Sequence, residues 1–188
     1  MGIKIKHINN KKKYLNEMFG ISTHYKQLII NPNKKVTSYV NERIYITIAI
    51  VAFVIFMIIV KKHGLWFNCF VIGITFMAVL VYLKDIIDTT KYIRKDSKEE
   101  SDSELSITKD RIIFKNNKLN FTFEEEWDNI EYILITDYCI SFLPKEPHGF
   151  LIVISKDYKK DCFELIKKYK KEQLIFDQTK NNKKTDKS

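Results

Sequence analysis

The chain has 188 residues and a net charge of +9, and 45% of its residues are hydrophobic. This length is enough for one ordinary domain plus a small additional element. Its five glycines and three scattered cysteines exclude a nucleotide-binding glycine loop, a zinc cluster and a disulfide framework. A basic net charge is also typical of nucleic-acid-binding proteins, but no nucleic-acid-binding motif occurs, so we expect no nucleic-acid partner. We interpret the cations instead as the positive flanks that orient membrane helices.

Residues 1–43 are predicted to form a cytoplasmic strand and helix. Residues 3–8 alternate apolar and polar side chains, which is the period of a half-buried strand. Residues 12–30 have the apolar spacing of a helix. Whether the strand joins the sheet of the C-terminal part is left open by the sequence. The polar start predicts that no cleavable signal peptide is present and that the first apolar span acts as its own insertion signal.

Residues 44–83 contain only two charges, Lys61 and Lys62, and are predicted to form a transmembrane hairpin with spans at 44–60 and 65–83. At ~1.5 Å per residue these spans reach about 26 and 28 Å, close to the ~30 Å hydrocarbon core of a bilayer. The alternative is a pair of core helices in a soluble protein. Both spans are apolar on every face, and a chain this short can hardly bury two such helices, so we favour the membrane.

The four residues at 61–64 force the two spans to be antiparallel, so both chain ends lie on one side. The flanks of the hairpin carry more cations than this connection, and the positive-inside rule then predicts a multi-pass protein of the plasma membrane with both termini cytoplasmic. The two lysines of the connection oppose this assignment. Neither span contains an ionisable residue, which argues against a transporter or pump made of the hairpin alone. The flanking cations are Lys34, Lys35, Arg43, Lys84, Lys91, Arg94 and Lys95.

Residues 84–104 form a charged linker with two alternative structures. The second helix could continue as an amphipathic stretch, with Lys91, Arg94 and Lys95 facing anionic lipid headgroups at ~1 kcal/mol each. The segment could equally be a solvated connection. Residues 97–103 are acidic and serine-rich, which is typical of a loop.

Residues 105–175 are predicted to form a small antiparallel β domain closed by one helix. Several segments show the two-residue alternation of strands, and the helix is expected to begin near Asp157 as its N-cap. Residues 176–188 are polar and are predicted to be a disordered tail. The fold class is therefore an α+β membrane protein. The predicted strands are 105–107, 112–114, 119–124, 130–136, 138–143 and 150–154.

Three short motifs accompany this pattern: Leu105-Ser106-Ile107-Thr108, Glu126-Trp127-Asp128-Asn129-Ile130, and Ile154-Ser155-Lys156 before the helix. With the hairpin, they make the chain similar to the YcxB-like bacterial membrane proteins. That resemblance implies two transmembrane helices followed by a domain like the pleckstrin-homology (PH) fold. The family tends to have Pro where Ser155 stands here. The resemblance implies no activity.

No catalytic residues, cofactor or metal site can be assigned, and we expect that the protein is not an enzyme. Consecutive glutamates at 124–126 point to opposite faces of a strand, so they are expected to be a solvated strand end. The four histidines lack partners at metal-ligand spacing. Trp127 is expected to be a structural anchor in the core, with a ligand contact as the alternative.

Lys109 and Arg111 lie in the first β-hairpin and are candidate contacts for an anionic lipid or an acidic partner, although ordinary lysine content explains them too. We therefore expect a membrane protein whose PH-like domain is a binding module for a protein or an anionic lipid surface. The alternative is an accessory or regulatory subunit of a membrane transport or peptide-immunity system. Expected partners are the lipid bilayer and either a membrane protein or a second copy of the chain.

Overall fold

The computed structural model describes residues 2–60, 65–145 and 150–179. The predicted connection at 61–64, the residues at 146–149 and the tail from 180 lie outside the described residues. Within them the chain is an α+β protein with four α-helices and two sheets. The helices are α1 (Lys11–Ile30), α2 (Tyr39–Val60), α3 (Leu65–Asp96) and α4 (Lys159–Lys168).

Helices α2 and α3 form the predicted hairpin. Each contains a stretch that is long and apolar enough to cross a membrane, Tyr39–Phe56 in α2 and Cys69–Asp96 in α3, and the 18-residue apolar window of each stretch is not buried inside the rest of the protein. The large apolar side chains along them, such as Phe53 and Phe76, are exposed. The sequence prediction of two long apolar helices is confirmed.

Helix α3 continues for thirteen residues past Leu83, where the predicted span ends. At ~1.5 Å per residue this extension is about 20 Å long. It is held against the domain because Ile93 is buried and the Tyr92 ring meets Phe19 of α1 edge-on at 5.7 Å. Of the two alternatives for residues 84–104, the helical one therefore applies as far as Asp96, and a loop follows.

The strands form two four-stranded sheets. Sheet A is antiparallel, with the order β1 (Gly2–Ile5), β2 (Ser103–Ile107), β3 (Arg111–Asn116) and β4 (Phe121–Glu126). Sheet B has the order β7 (Ile152–Ser155), β6 (Cys139–Pro144), β5 (Ile130–Ile135) and β8 (Ile175–Asp177), and only β8 runs parallel to its neighbour.

Strand β1 joins sheet A from the other side of the hairpin. Ile3 pairs with Leu105 and Ile5 with Ser103, and both isoleucines are buried. The possibility that the N-terminal segment completes the C-terminal sheet is realised. The segments before and after α2 and α3 therefore form one domain.

Helix α1 packs on the outer face of sheet B, and the main core lies between the two sheets. Glu17 of α1 accepts a hydrogen bond from the Tyr138 backbone N–H at 2.7 Å, and the Tyr132 hydroxyl donates to the Leu28 carbonyl. On the inner side, Trp127 meets Phe142 edge-on at 6.5 Å. The buried face of α4 closes the core with Cys162, Leu165 and Ile166.

Strand β4 begins at Phe121 instead of residue 119, and two further features near the C-terminus differ from the sequence prediction. Strand β8 was not expected, and it places Phe176 and Asp177 in sheet B instead of in a disordered tail. A three-residue strand is too short to show an alternation. Asp157 is not the N-cap of α4, because it lies in a 3₁₀ turn where its carboxylate accepts a hydrogen bond from the Asn9 backbone N–H at 2.7 Å.

Candidate binding site

A cavity of about 560 Å³ opens between the two sheets, next to the N-terminal half of α1 and the end of α3. Here β4 and β7 are edge strands of different sheets, and α4 contacts β2. Its lining is mostly apolar with a charged rim. The apolar lining residues are Ile5, Ile8, Tyr14, Leu15, Met18, Tyr92, Phe114, Leu119, Phe121, Phe123, Leu151, Ile152 and Val153.

Aromatic rings form one wall of this cavity. Phe114 and Phe123 pair across β3 and β4 on the inner face of sheet A, and Phe121 lies one inward position further along β4. The rings of Phe121 and Phe123 are 4.8 Å apart, and Phe123 stacks on Phe150 at 4.8 Å. Phe150 remains 49% exposed. The wall is therefore a row of four aromatic rings, Phe114, Phe121, Phe123 and Phe150, that extends from the cavity to solvent. We call this row the aromatic ladder.

Glu125 connects the two sheets beside this ladder. Its side chain is only 6% exposed, and it accepts one hydrogen bond from the Asn129 side-chain amide at 2.9 Å and another from the Phe150 backbone N–H at 2.7 Å. The interpretation of residues 124–126 as a solvated strand end is wrong for Glu125. Its position on β4 faces inward, opposite the buried Ile112 of β3.

Ion pairs hold the rim of the cavity. Lys11 of α1 lies 3.3 Å from the Asp96 carboxylate and also donates to the Glu99 carbonyl at 2.8 Å. Lys118, in the turn between β3 and β4, forms an ion pair with the Glu99 carboxylate. These contacts join α1, the end of α3 and sheet A around the opening.

A second, basic pocket lies directly beside the cavity. Lys91, Arg94, Lys95 and Lys98 surround it together with Glu99, and Lys95 and Glu99 line both spaces. Within the described part of the chain, none of these four cations has a carboxylate at ion-pair distance. Since Lys118 compensates Glu99, the basic pocket keeps a net positive charge.

Lys109 and Arg111 do not belong to this site. They lie at the turn between β2 and β3, whereas the cavity borders Ser103 at the opposite end of β2. Five residues at ~3.4 Å separate these ends by about 14 Å. Arg111 also forms an ion pair with Glu124. The structure thus brings three of the predicted contacts, Lys91, Arg94 and Lys95, together and separates the other two from them.

Trp127 is a core residue. It is 3% exposed, and its indole N–H donates to the Thr108 carbonyl at 2.9 Å. The Lys171 ammonium lies 5.6 Å from its ring centroid. A buried ring with a satisfied donor explains the position without a ligand.

The titratable groups near α1 are arranged for packing. Burial raises the pKa of Glu17, although hydrogen bonds from Tyr138 and Thr136 act against it. Burial also raises the pKa of the Cys139 thiol, and it raises that of Cys162 to about 12. Both thiols therefore remain protonated and unreactive near neutral pH. No three His, Cys, Asp or Glu side chains among the described residues converge on a metal site.

The aromatic ladder was not predicted from the sequence as part of a site. The sequence does contain a signal for it, because Leu119, Phe121 and Phe123 occupy alternate positions. Such alternation indicates that one face of the strand is buried, but it does not indicate which element, if any, covers that face. Comparison with known proteins adds no functional assignment: no family model, curated protein or solved structure matches this chain.

Proposed function

We propose that the protein is an integral membrane protein whose PH-like cytoplasmic domain is a non-enzymatic binding module. The observation that carries this proposal is the pairing of β1 with β2 across the two apolar helices. It requires both flanks of the hairpin to lie on the same side of a bilayer. The domain is then attached to the membrane by two connections, which fixes its orientation better than one.

The surface of the hairpin supports the membrane assignment. In water, contiguous apolar patches larger than a few hundred Å² are unfavourable, and the exposed side chains of α2 and α3 form such a patch. In lipid, each Ile, Leu, Val or Phe favours insertion by ~0.3 to 0.6 kcal/mol. Lipid is therefore the stable environment for these helices.

A cluster at the base of the hairpin suits the membrane surface. The Arg43 guanidinium lies 5.0 Å from the Tyr39 ring and 5.3 Å from the Tyr82 ring, and its Nε is 3.5 Å from Asp85. The Tyr39 hydroxyl donates to the same carboxylate at 2.7 Å. Tyrosine rings favour the headgroup level of a bilayer. We infer that this cluster marks the cytoplasmic interface.

Binding is supported by the cavity and the basic pocket, which together offer apolar surface and positive charge in one place. Small-molecule sites typically have volumes of ~300–1,000 Å³ and a mostly apolar lining, and the cavity of about 560 Å³ lies in this range. The likeness to the YcxB-like family and to the PH fold is part of this proposal. It agrees with two strand layers closed by a C-terminal helix.

The anchoring is tested by membrane fractionation of the full-length protein. We expect it to stay in the membrane pellet after a high-salt and alkaline wash, and to require detergent for extraction. Ile50→Arg places a charge in the middle of α2 at a cost of ~2.5–3.5 kcal/mol and should weaken insertion. The control is Ile30→Arg at the exposed end of α1, outside the cavity. Recovery of the wild type as a monomer from the aqueous fraction would contradict the proposal.

A further inference from the structure

We propose that the cavity and the basic pocket together bind one membrane lipid with an anionic headgroup. One hydrocarbon chain lies in the cavity, and the phosphate lies among the cations of the pocket. The two spaces share Lys95 and Glu99, so the polar end of a molecule in the cavity reaches the cations directly. This inference rests on the proposed function and names the ligand of that binding module.

The lining of the cavity favours a hydrocarbon chain. Phe121, Phe123 and Val153 line it, and among its lining residues no buried side-chain nitrogen or oxygen lacks a hydrogen-bond partner. The one buried side-chain atom without a partner among the described residues, the Ser141 hydroxyl, does not line the cavity. Apolar surface gains about 25 cal/mol per Å² when it is removed from water. A hydrocarbon chain that fills the cavity removes both its own apolar surface and the lining from water, and so provides this free-energy gain.

The charge of the basic pocket selects an anionic head. Lys91, Arg94, Lys95 and Lys98 contribute four cations, and the only carboxylate among them, Glu99, is already paired with Lys118. Arginine also offers a planar fork of donors that matches phosphate oxygens. A zwitterionic head would bring its own cation into this positive field, so it is disfavoured.

The height of the pocket separates lipid binding from a simple surface contact. Lys91 and Lys95 lie eight and twelve residues after Leu83 on the same helix. On the proposed topology, in which the span ends at Leu83, these separations correspond to about 12 and 18 Å along the helix axis, whereas the headgroup layer is only ~5–8 Å thick. Surface attraction fades within a Debye length of ~10 Å. Cations at this height act on a lipid that is partly lifted out of the bilayer, and the cavity shelters its chain.

The test is photolabelling of the full-length protein in a non-ionic detergent. The probe is phosphatidylglycerol with a diazirine near the end of one acyl chain, compared with phosphatidylcholine carrying the same chain. We expect the label on β4 and on residues 151–153, mapped by mass spectrometry. Phosphatidylglycerol should label these residues about tenfold more, the effect of one or two charge contacts.

Matched variants assign the effect to the two spaces. The double variant Arg94→Glu/Lys95→Glu should reduce phosphatidylglycerol labelling to the phosphatidylcholine level. The control Lys109→Glu/Lys167→Glu has the same charge change on exposed residues elsewhere and should keep the preference. Leu151→Trp should fill the cavity and reduce labelling by both lipids, with far-UV circular dichroism confirming the fold.

Several outcomes would overturn the inference. These are equal labelling by the two lipids, label confined to α2 and α3, undiminished labelling of Leu151→Trp, or equal losses in the two charge variants. Competition by millimolar glycerol phosphate alone would show that a free phosphate compound is the ligand instead of a lipid. Failure of labelling in a protein that fractionates with membranes overturns this inference alone. Recovery from the aqueous fraction overturns the proposed function.

Discussion

At the scale of single residues, two neighbouring glutamates on β4 have opposite environments. Glu124 is exposed and pairs with Arg111 on the surface. Glu125 is buried and accepts hydrogen bonds from Asn129 and Phe150. A surface ion pair contributes ~0–1 kcal/mol, whereas unpaired buried donors cost ~1–3 kcal/mol. The stability of the domain therefore depends on only one of the two carboxylates.

The substitution Glu125→Ala should lower the unfolding free energy by about 2 kcal/mol, because the Asn129 amide and the Phe150 N–H lose their acceptor. Glu125→Gln keeps one acceptor oxygen and should cost less. Urea unfolding of the detergent-solubilised protein measures the change, followed by Trp127 emission in a Trp66→Phe background. Glu124→Ala is the control, and a loss as large as that of Glu125→Ala would contradict the assignment.

Glu17 gives the domain a specific dependence on pH. Burial raises its pKa above the ordinary value of 4.5, so the folded state binds this proton more tightly than the unfolded state does. The stability that this protonated carboxyl contributes is therefore complete below pH 4.5. It is lost as the pH rises through the raised pKa of the folded state. Glu17→Gln should flatten the fall in melting temperature over that range. An unchanged pH profile would show that another group is responsible.

Residue roles were predictable where the type of residue dictated them. Trp127 is large and apolar, so its place in the core followed from the sequence. Glu125 was missed because a carboxylate is almost always exposed unless it is paired, and its partners are a backbone N–H and an amide that only the fold brings close.

At the scale of elements, the C-terminal strand β8 also fixes the connection between α1 and α2. Gln178, which follows β8, is 8% exposed, and its side-chain amide donates to the Pro32 carbonyl at 2.6 Å and to the Lys34 carbonyl at 2.8 Å. Lys159 of α4 holds the strand through Asp177 at 3.1 Å. The connection that leads into the hairpin is thus held by residues from the other end of the domain.

Gln178→Ala should release the connection at residues 31–38, because both carbonyls lose their donor. Limited proteolysis in detergent should then cut this segment at least about fivefold faster, consistent with a local loss of ~1–3 kcal/mol. Gln173→Ala is the matched control, since Gln173 is exposed in the 3₁₀ turn before β8. Equal cleavage of the two variants would count against the role of Gln178.

Long and strongly periodic elements could be read from the sequence, and short ones could not. The apolar runs of α2 and α3 and the alternation in β4 indicated these elements directly. Strand β8 has three residues and is stabilised by its pairing with β5, which no local pattern reveals. The extension of α3 to Asp96 remained one of two alternatives because its apolar face is completed by α1.

At the scale of the whole molecule, the domain consists of the two segments that flank the hairpin. A fragment that begins after α3 lacks β1 and α1. Without β1, strand β2 would become an unpaired edge of sheet A. Without α1, the outer face of sheet B would be exposed to solvent. We expect residues 100–188 alone to aggregate, so lipid binding should be measured on the full chain.

Ile5→Asp tests this composite domain. Ile5 is 3% exposed on β1, and a carboxylate there would be buried without a partner, which destabilises by several kcal/mol. In a Trp66→Phe background we expect red-shifted Trp127 emission and loss of the folded domain, although Ile5 precedes the hairpin. Lys6→Asp introduces the same side chain at an exposed position and should leave the emission unchanged. A native spectrum for Ile5→Asp would mean that sheet A does not need β1.

The pairing of β1 with β2 also imposes an order on biosynthesis. Ile3 leaves the ribosome about one hundred residues before its partner Leu105, which is roughly 5–20 s at typical rates of translation. Throughout this interval the first strand has no neighbour while both apolar helices emerge. If only one helix crossed the bilayer, β1 and β2 would lie on opposite sides of the membrane and could not pair. On the proposed topology, sheet A can close only when both helices have crossed the bilayer, so its closure requires correct insertion.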